Sequence, residues 1–151
     1  MECWARFEGG VANAEIISQG SSGNVFYIGY NAANGTFSLG DGWRTTSVAY
    51  PVAPAAWHHV AVVKTATSAA FYLDGVLKTN RTSAIPNPAL TEMRFARQYE
   101  GGIELGQWAG PIDEVRIWNT ARTETQITNN MHRPLLGNEA NLVSYWRFDE
   151  G

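Results

Sequence analysis

The sequence predicts an all-β protein, a sandwich or barrel of antiparallel strands. Only 17% of its 151 residues are charged, against the ~25% typical of globular proteins. In their place stand 15 glycines and six each of Trp, Tyr and Phe. Aromatic residues favour pleated strands, and glycine marks turns and bulges. Segments of alternating apolar and polar residues recur along the chain with turn residues between them, which is the pattern of sandwiches and barrels.

The predicted strands follow this alternation from one end of the chain to the other. In order they are Cys3–Phe7, Ala14–Ser18, Asn24–Tyr30, Thr36–Leu39, Arg44–Val48, Trp57–Lys64, Ser68–Leu73, Val76–Arg81, Glu92–Arg97, Ile103–Leu105, Ile112–Trp118 and Leu142–Phe148. Three dipeptides supply the positive-φ residues that tight hairpins need, namely Asn34-Gly35, Asp41-Gly42 and Asp74-Gly75. The last of these predicts the clearest hairpin, between the strands on either side of it.

One segment, Thr123–His132, breaks the alternation and predicts a short helix. Thr123 and Gln126 have the spacing of a capping box, in which each side chain bonds the other residue's backbone N–H. Ile127 and Met131 lie four apart on one helical face, and Pro134 follows the expected end.

Charge and cysteine content exclude several function classes. The formal net charge is −3 and Lys and Arg never cluster, so the basic footprint of a nucleic-acid-binding protein is missing. No run of about 18 apolar residues predicts a membrane span. The one cysteine, Cys3, excludes an intrachain disulfide and a multi-thiolate zinc site. The length fits one domain.

Three stretches have the order and spacing of a known family. They are residues 57–63 (WHHVAVV), 71–77 (FYLDGVL) and 110–119 (GPIDEVRIWN). Together they resemble the laminin-G-like branch of the concanavalin A-like lectin/glucanase superfamily and, more distantly, the pentraxins. The resemblance covers nearly the whole chain. It implies a single domain over residues 1–151, folded as a jelly-roll sandwich of two antiparallel sheets.

The chain departs from that family at one point. Family members usually begin with a strand of the form apolar-x-Phe-Asp-Gly, beside the strand equivalent to Ile112–Trp118, and this sequence lacks it. Residues 148–151 (FDEG) are similar to the end of that strand. We therefore expect Tyr145–Asp149 to pair with Ile112–Trp118 or lie next to it. Otherwise the edge is open to another chain, and a homo-oligomer could form there.

Hydrolysis of glycosidic bonds would need two carboxylates on one face, ~5–5.5 Å apart in retaining enzymes. Asp113-Glu114 and Asp149-Glu150 are adjacent pairs, and neighbours on a strand point to opposite faces. No Ser lies in a Gly-x-Ser-x-Gly elbow. We therefore predict no enzyme activity, with a glycoside hydrolase as the second alternative.

Calcium is the ion that the family resemblance implies, held by loop carboxylates, amides and carbonyls. The best local cluster is residues 98–104 (QYEGGIE), whose position before Ile112–Trp118 resembles the acidic calcium loop of pentraxin-like domains. The acidic run of that motif is reduced here to Glu100 and Glu104, which are the candidate metal ligands.

Loop aromatics are candidates for stacking on sugar rings. Trp4, Trp57, Trp118 and Trp146 lie inside predicted strands, so the core is the expected place for each. A sugar platform instead needs exposed, rigid aromatics with polar groups nearby. The candidate ligand-binding residues are the loop aromatics and their polar neighbours, namely Trp43, Arg97, Gln98, Tyr99, Gln107 and Trp108.

These residues and the resemblance predict a non-catalytic binding or adhesion module. Its expected ligand is a carbohydrate or a protein surface, and calcium is expected to assist the binding. The alternative is a structural or self-assembling module that uses an open sheet edge. The family resemblance implies an extracellular or cell-surface module of a larger secreted protein.

Overall fold

The computed structural model describes residues 1–20, 26–40, 46–51, 53, 55–82, 85, 92–100 and 102–149, with the backbone alone at 40, 46–51 and 100. This part of the chain forms strands and one helix, α1 (Glu124–Asn130). The strands are β1 (Glu2–Arg6), β2 (Gly9–Gly10), β3 (Asn13–Gln19), β4 (Phe26–Asn31), β5 (Thr36–Gly40), β6 (Thr46–Pro51), β7 (Trp57–Lys64), β8 (Ala69–Leu73), β9 (Val76–Arg81), β10 (Met93–Phe95), β11 (Gln98–Glu100), β12 (Ile103–Leu105), β13 (Trp108–Ala109), β14 (Ile112–Trp118) and β15 (Leu142–Trp146).

Two large antiparallel sheets form the molecule. One has six strands in the order β15-β14-β1-β7-β8-β9, and the other has five in the order β10-β3-β4-β5-β6. Two short ribbons, β11-β12 and β13-β2, accompany them. One hydrophobic core contains residues of both large sheets, including Cys3, Val60, Phe71, Ile28 and Phe37. The predicted all-β sandwich is therefore confirmed.

Alternation along each strand divides its side chains between the core and the outer face. In β4, Phe26, Ile28 and Tyr30 belong to the core, so the residues between them face outward. Gly35 has φ +64 in the turn between β4 and β5. Asp74 and Gly75 have φ of 52° and 78° between β8 and β9, so the hairpin predicted there is confirmed. Asp41-Gly42 lies outside the described residues.

The pairing expected for the last strand is also confirmed. β14 lies between β1 and β15, and Val115, Arg116 and Ile117 are opposite Trp146, Tyr145 and Ser144. The strand ends at Trp146 and does not reach Asp149. A contact across the sandwich supports the position of β15 beside β14. The ring centroid of Trp146 lies 4.9 Å from that of Phe95 on the opposite sheet.

Helix α1 begins as predicted, since Thr123 is the N-cap and both hydrogen bonds of the capping box with Gln126 are present. Its buried residue, Ile127, packs against Ala61 and Tyr72 of the six-stranded sheet. The helix therefore covers part of that sheet's outer face. No helix in the described ranges is long and apolar enough to cross a membrane.

Beside the helix, the outer face of this sheet holds a buried charge network. Arg116 is 1% exposed and donates to the backbone oxygens of Asn130 and Arg133, at 2.9 and 2.6 Å. It also donates to Glu114 at 2.5 Å and lies 3.8 Å from Glu2. Burying such charges costs little only when they are paired and hydrogen-bonded. The network therefore holds the chain that follows α1 against the sheet.

Candidate functional site

The segment that carries the predicted site folds against β3, beside the edge strand β10. β10 pairs with β3, and Ala96 at φ 61° then redirects the chain into the β11–β12 hairpin. Ser18 donates its hydroxyl to the backbone oxygen of Arg97 at 2.8 Å, and the N–H of Glu15 donates to Gly106 O at 2.7 Å. These bonds hold the hairpin beside the outward-facing side chains of β3.

Four of the predicted residues form a surface group on this hairpin segment. Arg97 and Glu104 pair at 2.5 Å, with about half of each side chain exposed. Gln107 donates to the backbone oxygen of Glu104 at 3.4 Å. Tyr99 is half-buried, with the guanidinium of Arg94 5.1 Å from its ring centre. The structure therefore brings Arg97, Tyr99, Glu104 and Gln107 together.

Two predicted ligand-binding residues, Trp108 and Gln98, are buried, so the exposed position expected for them is wrong. Trp108 is 6% exposed, because pairing of β13 with β2 turns its ring into the sandwich. There it packs 5.3 Å from Phe7 and 6.0 Å from Tyr30. Gln98 is 1% exposed at the start of β11. The other predicted aromatic, Trp43, lies outside the described residues.

Trp57 was expected in the core, but it is exposed. It is 39% exposed at the start of β7, with the guanidinium of Arg6 5.5 Å from its ring centre. Trp4 and Trp118 also lie on the outer side of the sheet, where their indole N–H groups donate to Met131 O and to Glu2 at 2.8 and 3.0 Å. Strand position alone did not show which tryptophans are enclosed.

The predicted calcium ligands remain a prediction. Glu104 is engaged by Arg97, and the side chain of Glu100 is not among those described. Within the described ranges, no group of three or more His, Cys, Asp or Glu side chains could hold a metal ion.

The outer face of the five-stranded sheet carries a groove that the sequence reasoning missed. We call this 230 Å³ cavity the polar groove, and its outward-facing residues are Asn13, Glu15, Tyr27, Gly29, Asn31 and Ser38. Every second residue of 27–31 (YIGYN) points to it, and this alternation shows which residues share the outer face but not that a groove lies there.

The polar groove is built of polar side chains with little exposure. Glu15, Tyr27 and Ser38 are 4%, 9% and 6% exposed. Only glycine fits at position 29, because a Cβ there would lie 2.9 Å from Ala14 O and 3.2 Å from the Tyr27 ring. Asn31 donates to Asn13 at 2.8 Å. The result is a firm surface with hydroxyl, amide and carboxylate groups facing one space.

A second cavity lies on the outer face of the six-stranded sheet. The expectation that Asp113 and Glu114 point to opposite faces is wrong there. Pairing between β1 and β14 shifts register after Trp4–Asp113, and Glu114 adopts φ 51°, so the strand bulges. Asp113 and Glu114 therefore line the same cavity and do not point to opposite faces. We call it the aromatic cavity; its 470 Å³ are lined by Trp4, Trp57, Asp113, Glu114, Met131, His132, Arg133 and Pro134.

The architecture and the match to a family model define the class of this protein. The chain belongs to the Laminin_G_3 family of the concanavalin A-like lectin/glucanases superfamily, which it matches over residues 1–128. The resemblance predicted from the three sequence stretches is thus confirmed. Among curated proteins, none matches this chain.

Solved structures share the fold at low sequence identity. A candidate carbohydrate-binding protein from Bacteroides ovatus ATCC 8483 has a TM-score of 0.76 and 19% identity, over 99% of this chain and 44% of that one. The CBM40 of Ruminococcus gnavus IT-sialidase has a TM-score of 0.66 and 11% identity, over 85% and 79%. The native heptameric SAP-like pentraxin from Limulus polyphemus has a TM-score of 0.67 and 17% identity, over 98% and 78%.

Two of these similar proteins differ from this chain in length or have been solved with a ligand. The chain spans less than half the length of the Bacteroides ovatus protein. The Ruminococcus gnavus CBM40 has also been solved bound to α2,3- and to α2,6-sialyllactose.

Proposed function

We propose that the chain is a non-catalytic carbohydrate-binding module whose ligand lies in the polar groove. The proposal rests mainly on Glu15, Tyr27 and Ser38, three polar side chains of low exposure around the side-chain-free Gly29. Sugar hydroxyls both donate and accept, so they need fixed carboxylate, hydroxyl and amide partners at short range. The groove offers these groups on a sheet, where neighbouring strands hold them in place.

The hairpin segment adds contacts at the side of the groove in this proposal. Arg97, Tyr99 and Gln107 are exposed or half-buried beside β3, where a ligand larger than one ring would reach them. Trp43 remains a prediction for the same role. Calcium held by Glu100 and Glu104 would order the hairpin. An extracellular or cell-surface location, where glycans are displayed, belongs to the same proposal.

Similar proteins support a carbohydrate ligand. Two of the three solved structures named above are described as carbohydrate-binding, and one of them binds sialyllactose. The sequence identities are below one fifth, so the test covers many glycans.

A glycan array with α2,3- and α2,6-sialyllactose among its sugars tests this function. We expect the wild-type chain to bind at least one glycan, and Glu15→Gln to weaken that binding about tenfold, the worth of a hydrogen bond to a charged group. Ser38→Gln should block the groove. Asn80→Gln, on exposed strand β9, is the matched control and should bind like the wild type.

Melting temperatures of all four proteins show whether the variants stay folded. Binding that is unchanged in both groove variants would contradict the polar groove, and an array without any bound glycan would contradict the function. A repeat with a chelator tests calcium separately, since only the calcium assignment fails if binding is unchanged.

A second candidate function is self-assembly through β15. This strand is at the edge of the six-stranded sheet, where only β14 pairs with it among the described residues, and Val143 is 57% exposed. An unpaired edge can add a strand from a second copy. Sedimentation should then show concentration-dependent association that Val143→Lys abolishes. A monomer at every concentration would exclude this candidate.

A further inference from the structure

We propose that the aromatic cavity is a second carbohydrate site, which binds neutral pyranose rings on the sheet opposite the polar groove. Its volume of 470 Å³ falls within the ~300–1,000 Å³ usual for small-ligand sites. The residues that carry the proposal are Trp4, Trp57 and Asp113.

The aromatic side of the cavity is rigid and partly open. The Trp4 indole is fixed, because its N–H donates to Met131 O at 2.8 Å and the His132 ring lies 5.1 Å away. Trp57 keeps 39% of its surface exposed even with Arg6 against it. An exposed indole beside a fixed one can receive the C–H face of a pyranose ring, which an apolar flat surface favours.

Asp113 is the acceptor that this cavity offers to a ligand. Both oxygens of Glu114 accept the Tyr145 hydroxyl, at 2.6 and 2.7 Å, and one also accepts Arg116. Asp113, by contrast, accepts the backbone N–H of Glu114 at 2.8 Å and forms no ion pair within the described ranges. Burial raises the pKa of Asp113, as expected for a carboxylate without a cation beside it. Its remaining lone pairs can accept sugar hydroxyls.

The bulge makes this arrangement possible. Between the pairings Trp4–Asp113 and Glu2–Arg116, β14 has one residue more than β1, and with Glu114 in a left-handed conformation both carboxylates lie on the outer face. Glu114 there holds Arg116 and Tyr145, so Asp113 faces the cavity. Asp113 offsets the charge of Arg133, which also lines the cavity, and it repels an anionic sugar at close range. We therefore assign neutral pyranosides, and not sialylated ones, to this site.

Nuclear magnetic resonance of the Trp57 indole N–H during titration tests this site. The probes are lactose, cellobiose and N,N′-diacetylchitobiose, with 3′-sialyllactose as the anionic counterpart of lactose. At least one neutral disaccharide should shift the signal, and 3′-sialyllactose should bind several-fold more weakly than lactose. If none of the neutral sugars shifts the signal, the proposal is wrong.

Variants separate this site from the polar groove. Asp113→Asn keeps the acceptor for the Glu114 N–H but removes the charge; it should weaken neutral sugars about tenfold and abolish the preference for lactose over 3′-sialyllactose. Trp57→Ala, followed through the Trp4 indole, should weaken binding about tenfold as well. Because Trp57 is exposed, this variant is expected to fold.

Glu15→Gln is the matched control, and it should leave the titration of Trp57 unchanged. If Glu15→Gln abolishes the Trp57 shift, the chain has one site, the polar groove, and the second site is excluded. Both groove variants could bind glycans on the array like the wild type while the Trp57 signal still shifts with a neutral sugar. That result would contradict the site in the polar groove and support the site in the aromatic cavity.

Discussion

The outer faces of the two large sheets both carry polar residues, but they use them differently. On the six-stranded sheet Arg116, Glu2 and His59 are almost fully buried beneath α1 and the chain that follows it. On the five-stranded sheet Glu15, Tyr27 and Ser38 surround an open groove. Polar residues at every second strand position therefore do not identify a binding face. Both sets have little exposed surface, and the difference is that chain segments lie over the first set, whereas a cavity opens beside the second.

The largest expected effect comes from breaking the buried network. Arg116→Met leaves Glu2 and Glu114 without their cation, and loss of one partner of a buried pair costs about 3–5 kcal/mol. Urea unfolding should show this decrease in the free energy of unfolding. Arg94→Met is the matched control on the other sheet, where the guanidinium pairs with exposed Glu92, and it should cost less than about 1 kcal/mol. Equal losses in the two variants would contradict the comparison.

The pH dependence of stability gives the next largest effect. Burial, aided by the charges of Arg116 and His132, lowers the pKa of His59 from 6.5 to about 3. The Nε2 atom of His59 lies 3.8 Å from Glu2, which would favour the charged ring. Burial outweighs this contact, because Glu2 already faces Arg116 and accepts the Trp118 N–H.

The direction of the change in the free energy of unfolding follows from the protons that the folded and unfolded states bind at each pH. The unfolded chain protonates His59 near pH 6.5, whereas the folded protein does not until about pH 3. The free energy of unfolding should therefore fall by about 2 kcal/mol between pH 7.5 and 5. Urea titrations across this range measure the slope, and His59→Gln should remove this part of it. An unchanged slope in His59→Gln would assign the effect to another group.

A smaller effect is expected at the start of the helix that covers the six-stranded sheet. Thr123→Ala removes the side chain that caps the N–H of Gln126, and such a loss costs about 1 kcal/mol. Thermal unfolding measures it. Thr120→Ala, at an exposed position before the helix, serves as control and should change stability by less than half as much.

The smallest effect belongs to the exposed pair on the hairpin beside the polar groove. Arg97 and Glu104 are each about half exposed, so Arg97→Gln should cost less than about 1 kcal/mol. High salt should reduce the difference from the wild type, because salt screens exposed charges. A salt-independent loss as large as that of Arg116→Met would mean that this pair also holds the fold together.

Local patterns were sufficient for most of the fold. Trp57–Lys64, Val76–Arg81 and Ile112–Trp118 have the predicted bounds, because their alternation is long and bordered by turn residues. The helix was predictable because its cap is formed by residues three positions apart. The strands β2, β11 and β13 were missed; each has two or three residues, too few to show a period.

The candidate sites depend on contacts between distant segments. The sequence located the hairpin group around Arg97 and Glu104, whose members are close neighbours along the chain. It misplaced Trp108 and Trp57, because the burial of a large ring depends on which segment covers it. It also placed Asp113 and Glu114 on opposite faces, since a bulge at a non-glycine residue has no sequence signature. Local spacing thus determined the strands and the cap, and the family resemblance indicated the β14–β15 pairing. The packing of segments far apart in sequence decided which polar and aromatic side chains are open to a ligand, because burial depends on what lies over a side chain.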